Sequence, residues 1–391
     1  MDEVERIVIV GGGLAAANAV EELRERGFTG SVTLVGSEQH VPYERPPLSK
    51  SVLLGNDPPE SVFVHTAEWY EEHDVELVLG TAASAIDTVD QTVTVGARTL
   101  GYDRLLLATG AIPRKLRMAD DSGAPVAYMR TFEDSLSLRE RLSGHVLIIG
   151  AGWIGLEVAS AARQAGAEVT VVDPADVPLQ KVLGDELGEV FAGLHRDHGV
   201  DLRLGSGVEG ITHDDGVTRV RLSDGQTLEV DLVVVGVGVV PDVSLAEAAG
   251  LEVDNGVLVD ATLRTSDPHV WAAGDIANHD HPLLGRIRVE HWDVAINQGK
   301  HAARAMLGSQ QPYEVQPYFF TDQYDWGMEY VGHVGGEGYD EVVLKGEPAD
   351  GLTAYWIRDQ KVLAGMHLND WDAIDRIREL VGGPVPAGGL G

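Results

Sequence analysis

Twice in this chain of 391 residues, four consecutive β-branched or leucine residues run straight into a glycine-rich turn. Ile7-Val8-Ile9-Val10 leads into Gly11-Gly12-Gly13-Leu14-Ala15-Ala16. About 140 residues later, Val146-Leu147-Ile148-Ile149 leads into Gly150-Ala151-Gly152-Trp153-Ile154-Gly155. A buried strand, a tight turn and a helix in immediate succession form the opening of a dinucleotide-binding βαβ unit. The first glycine permits the turn, the second lets backbone approach a pyrophosphate, and the third small residue lets helix and strand pack closely. The unpaired N–H groups and the dipole at the helix N-terminus then favour the phosphates. Gly11, Gly13 and Ala16 take these places in the first copy, with Leu14 and Ala15 between them. Gly150, Gly152 and Gly155 take them in the second, with Ile154 alongside. Two such units imply two dinucleotides that must meet, the layout of a flavin enzyme fed by a nicotinamide.

The residues that follow sharpen each unit. A strand over 7–10, a helix over 14–26 and a strand over 31–35 lead to Gly36-Ser37-Glu38, where Ser37 or Glu38 is placed to accept hydrogen bonds from an adenosine ribose. The second unit runs over 146–172 and ends in Asp173, 23 positions after Gly150. A carboxylate there accepts the 2′- and 3′-hydroxyls of a ribose and repels a 2′-phosphate. No arginine follows it closely and the first cation is Lys181, so the pattern predicts NADH rather than NADPH.

The chain contains no cysteine. That excludes a disulfide, a thiolate zinc site, a cysteine-ligated iron–sulfur cluster and a CxxC redox pair, so redox chemistry must sit on a bound cofactor. No metal-ligand spacing occurs, and no metal site is expected. The pairs His195/His198 and His279/His281 read as solvated loop or helix residues. The formal charge of −33, from 62 acidic and 29 basic residues, makes nucleic acid and anionic membranes poor partners. No apolar run approaches the roughly 20 residues of a membrane span. The first residues enter a strand by Ile7 without a basic, then apolar, leader, which predicts a soluble, cytoplasmic protein.

Outside the two units, the prolines of the segment 40–50 (HVPYERPPLSK) predict an extended, rigid loop carrying Arg45 and Lys50. A lysine held near a flavin would stabilise negative charge on the reduced ring. Residues 104–113 read as a buried strand leaving the first domain, and 228–240 as another that returns the chain to it. Residues 265–277 read as a strand ending in Gly274-Asp275 ahead of a helix. Asp275 there can bind a ribityl hydroxyl, and capping that helix is compatible with the same role. A helix over 292–306 begins at Glu290-His291-Trp292, and its N-terminus would favour an anionic reduced flavin. His291 reads equally well as a capping or packing residue. From about 313 aromatics cluster. Short strands over 341–345, 353–357 and 361–365 and an acidic helix near 370–381 predict an α+β C-terminal domain, and the Gly/Pro tail 382–391 predicts a frayed end. The fold class is therefore α/β, with two Rossmann-like nucleotide-binding domains and a C-terminal α+β domain. The expected bounds are 1–110 with 237–312, then 111–236, then 313–391.

Taken in order, VGGGLAAANA, PYERPPLSK, LLLATGAIPR, MRTFEDS, IIGAGWIGLEVA, GVGVVPD, TSDPHVWAAGDIA, VEHWDVAINQGKHAA and FFTDQYD cover nearly the whole chain. This set resembles the NADH-dependent ferredoxin reductases coupled to oxygenases, the group that includes putidaredoxin and rubredoxin reductases, with apoptosis-inducing factor a more distant relative. The resemblance implies a glutathione reductase-type fold of the pyridine nucleotide-disulfide oxidoreductases. It implies FAD at the first glycine loop, Ser37 or Glu38, Arg45, Lys50, Ala83 through its backbone, Arg130, Asp275 and Trp292. It implies NADH at the second loop, Asp173 and Gly238, and a functional pair of Lys50 with Glu157 beside the flavin. Phe320 stands where the family often has tryptophan, near the nicotinamide and flavin in relatives. The implied activity passes electrons from NADH through FAD to a small ferredoxin or rubredoxin that feeds an oxygenase or cytochrome P450, in a monomer or homodimer. The alternatives are an NADH oxidase or flavin reductase of small molecules, and an NADH-sensing flavoprotein like apoptosis-inducing factor. An acidic ferredoxin would be repelled at long range by this chain, so electrostatic docking needs a local basic patch, for which Arg286, Arg288, Lys300 and Arg304 are the candidates.

Overall fold

The computed structural model describes residues 4–390. Its contacts divide it into two compact units: residues 1–44, 62–112 and 240–319, and residues 45–61, 113–239 and 320–391.

In the first unit, five parallel strands lie in the order Val270–Ala272, Arg104–Leu107, Arg6–Val10, Ser31–Val35, Val75–Val78. Four of the five residues in Arg6–Val10 are buried, as expected of a central parallel strand covered on both faces. The helix Leu14–Glu25 leaves the first glycine turn and packs against the helix Trp292–Met306. They are in tight contact at Gly299, where a β-carbon would sit 2.3 Å from the Ala15 carbonyl oxygen. Only glycine permits that crossing.

The second unit contains a matching parallel sheet in the order Asp201–Leu204, Glu168–Asp173, His145–Ile149, Leu232–Val235, Val126–Tyr128, with the helix Trp153–Gln164 after the second glycine turn. It also holds most of a five-stranded sheet in the order Tyr318–Gln323, Trp326–Gly332, Lys361–Leu368, Gly351–Arg358, Glu341–Glu347, and the helix Ala373–Leu380. Ile377 and Ala373 of that helix are fully buried with Val331, Tyr355 and Val362.

Five expectations from sequence are corrected. The run 228–240 is not one strand. Thr227–Val230 ends a three-stranded antiparallel sheet, Leu232–Val235 joins the parallel sheet, and Val239–Pro241 lies in a separate two-stranded ribbon. Asp231 makes the break, because its carboxylate accepts the His145 N–H at 2.7 Å. The proline loop is helical rather than extended: Pro46–Ser49 forms a 3-10 turn and Ser51–Leu54 a short helix. Prolines in a first helical turn forfeit no hydrogen bond. Asp275 lies in the turn closed by the Ala277 N–H to Gly274 carbonyl bond, ahead of the strand Ala277–His281, so it caps no helix. The described part of the tail, residues 382–390, is docked, not frayed, and Gly391 lies outside the described residues. The Val362 N–H donates to the Gly383 carbonyl, the Gly382 N–H to the Val362 carbonyl and the Val385 N–H to the Gln360 carbonyl, and Leu390 is buried. Finally, His195, His279 and His281 are all buried. His195 lies on the buried side of its helix with Leu187, Phe191 and Leu194, opposite the exposed Asp185, Glu186, Glu189 and Arg196, and the strand Ala277–His281 has neighbours on both edges.

Candidate functional site: two glycine cradles and a buried ion pair

The two turns are built alike. Gly11 has φ +125°, and a β-carbon on it would lie 2.0 Å from the Ala108 carbonyl oxygen; Gly150 has φ +110°, with the Gly236 oxygen 2.4 Å from the equivalent point. Gly155 is just as tight, at 2.0 Å from the Gly150 oxygen. By contrast, nothing lies within 4 Å of a β-carbon built on Gly13 or Gly152, the N-cap residues of the two helices. No side chain caps either helix. Each turn is therefore closed against its own sheet and open at the helix N-terminus, the end at which the first N–H groups have no partner within the helix itself. That shape fits a pyrophosphate in each unit.

Around the first cradle, Ala15 and Ala16 are buried, Leu14 is half-buried and Ser37 is exposed. Glu38 is the better-held of the two ribose candidates, because the buried Tyr43 hydroxyl donates to its Oε2 at 2.5 Å. Ala83 opens the strand Ala83–Asp87. Arg288 binds the Asp275 carbonyl at 3.0 Å and the Glu290 carboxylate at 2.7 Å, tying two candidate positions together. His291 is the N-cap of Trp292–Met306 but makes no side-chain cap bond; its ring packs 4.6 Å from that of Phe319. Trp292 is the first residue of that helix.

In the second unit, Lys50 Nζ lies 2.8 Å from Glu157 Oε1. Glu157 is only 5% exposed, so its charge depends on its partners. The Thr321 hydroxyl donates to the same oxygen at 2.6 Å and the Ser49 hydroxyl to Oε2 at 2.5 Å. The Phe320 ring is 5.6 Å from the ammonium, within cation–π range. Arg45 donates to the Arg130 carbonyl, and Arg130 N–H to Asp134. Asp173 braces the second cradle. Its carboxylate accepts the Ala151 N–H and the Ala175 N–H, both at 2.8 Å. Ile154 is exposed beside this turn. Gly238, φ +95°, accepts at its carbonyl from the Arg114 N–H.

Three of the four basic-patch candidates are paired with carboxylates, and the fourth, Arg286, is exposed and bonds backbone carbonyls. Arg304 pairs with Glu22 at 2.6 Å, Lys300 with Glu21 at 3.1 Å and Arg288 with Glu290, while Arg286 spends its guanidinium on the Asn278 and Val259 carbonyls. The pairing with Arg304 holds the Glu22 carboxyl below its ordinary range against the opposing effect of burial. Sequence reasoning also missed Ser49, Thr321, Gln323 and His195. The available signal was the alternation of Thr321 and Gln323, which places two polar side chains on the buried face of one strand.

Residues 5–299 match the family model described as pyridine nucleotide-disulphide oxidoreductase, and residues 318–387 the model described as reductase C-terminal. The chain belongs to the pyridine nucleotide-disulphide oxidoreductase family. Within it, this chain is 40% identical to the ferredoxin–NAD(+) reductase component of the anthranilate 1,2-dioxygenase system of Burkholderia cepacia, over 96% of this chain and 93% of that one. It is 37% identical to putidaredoxin reductase of Pseudomonas putida, over 93% and 88%. The solved covalent putidaredoxin reductase–putidaredoxin complex matches with a TM-score of 0.94 at 36% identity, covering 99% of this chain and 95% of that chain. The family's cofactors are FAD and NADH, and the cradles fit them. The chain is an NADH-dependent flavoprotein oxidoreductase of the ferredoxin reductase type. Among the described residues, no helix is long and apolar enough to cross a membrane.

Proposed function

We propose that this protein carries electrons from NADH, through FAD, to a small ferredoxin or rubredoxin that serves an oxygenase or cytochrome P450 in the cytoplasm. The observation that carries the reading is the absence of cysteine from a chain similar over nearly its full length to ferredoxin reductases. Members of such a family that reduce disulfides need a dithiol, and here no protein group can take electrons from the flavin. FAD, when bound, accepts a hydride from NADH and releases the electrons one at a time.

The chain's own residues bind, orient and tune. Residues 1–110 and 237–312 hold FAD, 111–236 hold NADH, and 313–391 form the C-terminal domain. The N–H groups at Gly13 and Gly152 receive the two pyrophosphates. Glu38, steadied by Tyr43, takes the adenosine ribose of FAD, with Ser37, Arg45, Ala83, Arg130, Asp275, Glu290, His291 and Trp292 as further FAD contacts. Asp173 takes the adenosine ribose of NADH, with Ile154, Gly155 and Gly238 shaping that site. Lys50, paired with Glu157, presents a cation to the reduced ring, and Phe320 lies against that cation. No side chain need act as acid or base for hydride transfer, so position and electrostatics supply the catalysis.

Stopped-flow reduction by NADH, followed by mixing with oxidised ferredoxins, rubredoxin or oxygen alone, tests the reading. Flavin reoxidation faster with one iron–sulfur protein than with air supports it. Reoxidation no faster with any of them sinks it.

A further inference from the structure

The hydrogen bonds around Glu157 do not stop at Thr321. Gln323 Nε2 lies 3.3 Å from Thr321 Oγ1, and Gln323 Oε1 lies 2.8 Å from His195 Nε2. The Tyr324 hydroxyl is 3.4 Å from His195 Nδ1. All members from Glu157 to His195 are buried: Glu157 5%, Thr321 2%, Gln323 1% and His195 0% exposed.

The chemistry of the groups sets the direction of each bond. An ionised carboxylate only accepts, so Ser49, Thr321 and Lys50 must donate to Glu157. The Thr321 hydroxyl, having given its proton, accepts from the Gln323 amide. The amide carbonyl must then accept from His195 Nε2–H, which leaves Nδ1 as the acceptor for Tyr324. Burial holds this imidazole neutral down to about 4, as the arrangement requires. Every proton therefore points toward Glu157, and bonds aligned head to tail strengthen one another.

We propose that Thr321, Gln323 and His195, with Ser49, are positioning residues for the Glu157–Lys50 pair, through which the strand Tyr318–Gln323 and the helix Asp185–Asp197 set the charge Lys50 presents. The proposal rests on the reading that Lys50 acts on the reduced flavin. A buried ion pair whose remaining lone pairs are unmet is costly. Here the two hydroxyls meet them and also offset part of the carboxylate's charge, so that Glu157 holds the ammonium without cancelling it. Losing the Thr321 donor leaves Glu157 more negative and less fixed, and the cation's net effect falls.

The test is the FAD midpoint potential of the holoenzyme, read by equilibration with a reference dye, for the parent and for Thr321→Val, Gln323→Leu, Thr321→Ser and Lys50→Met. Thr321→Val should lower the potential by about 15 mV, a roughly threefold loss of preference for reduced flavin in a two-electron couple. Gln323→Leu should shift it the same way by less, and Thr321→Ser should restore the parent value. Lys50→Met should give the largest fall. If Lys50→Met shifts the potential and Thr321→Val does not, the positioning role is refuted while the lysine reading stands. If Lys50→Met leaves the potential unchanged, the lysine reading fails and the proposal with it. A structural role alone would lower the unfolding temperature of Thr321→Val without moving the potential, and that result also refutes the proposal. Histidine-labelled protein gives a readout independent of flavin. The His195 Nε2–H tautomer should be present in the parent and lost in Gln323→Leu; a parent His195 found as the Nδ1–H tautomer overturns the assigned direction.

Discussion

Asp173→Ala should damage two things at once, and the size of each can be worked from the contacts. The carboxylate accepts two backbone N–H groups at 2.8 Å, one of them on Ala151, which is 2% exposed and lies inside the glycine turn. Hydrogen bonds to a charged group contribute about 1.5–3 kcal/mol each, and an orphaned buried N–H adds the cost of its desolvation. The Ala175 N–H is half-exposed, and water replaces much of what it loses. A net destabilisation of about 3 kcal/mol follows, most of it at Ala151. Asn keeps one acceptor, so Asp173→Asn should lose about half as much. The second effect is on the nucleotide. Losing the acceptor for the ribose hydroxyls, and the repulsion of a 2′-phosphate, should cut kcat/KM for NADH by about tenfold or more and bring the NADH to NADPH ratio toward one. Urea unfolding of the apoprotein measures the first effect and steady-state kinetics with both nucleotides the second. An Asp173→Ala protein within about 0.5 kcal/mol of the parent refutes the brace. An unchanged preference for NADH refutes the ribose assignment, even if the stability loss is found.

Three further outcomes are expected. Arg304→Ala leaves Glu22, whose side chain is 4% exposed, with Arg26 as its one remaining ion-pair partner among the described residues; because Arg304 is itself 41% exposed, the loss should be about 2 kcal/mol, with little change in KM for a ferredoxin, measured by chemical denaturation and reductase assay. Acid should weaken the fold through His195 and His279, whose burial lowers both from 6.5 to about 4. The unfolded chain binds more protons between those values, so stability is full above 6.5, falls as pH drops toward 4 and levels below it. The loss at pH 5 is about 2 kcal/mol per histidine, and a His195→Gln protein with the parent's pH slope in urea titrations would contradict this. Gly155→Ala, which drives a β-carbon to 2.0 Å from the Gly150 oxygen, should abolish NADH reduction while leaving the flavin bound, as absorbance and stopped-flow traces would show.

The parts legible in the sequence are those where backbone geometry restricts residue choice. A positive φ at Gly11 or Gly150 beside a close backbone neighbour admits one residue, and the strands that lead into them carry unbroken apolar runs. What escaped detection depends on distant partners. His195 is polar enough for a surface helix, and only the arrival of Gln323, 128 positions later, makes its burial tolerable. Arg304 and Lys300 look like free surface cations until Glu22 and Glu21 fold against them. The run 228–240 is apolar apart from Glu229 and Asp231, and its composition does not reveal that it serves three sheets; one of those two carboxylates, Asp231, does the dividing. The Gly/Pro composition of the tail speaks only for a lack of regular structure, and backbone bonds to Gln360 and Val362 need none.

That laced tail bears on how the protein can be joined to others. A reductase is an obvious candidate for fusion to its electron acceptor, and the C-terminus is the usual place to splice. Here the final segment is a seam in the wall of the C-terminal domain: residues 382–385 are stitched to Gln360 and Val362, and Leu390 plugs the cluster around Val331 and Ile377. Trimming back to Val381 to make room for a linker would open that wall. A chimera should keep residues 382–390 in place and put its spacer outside that segment.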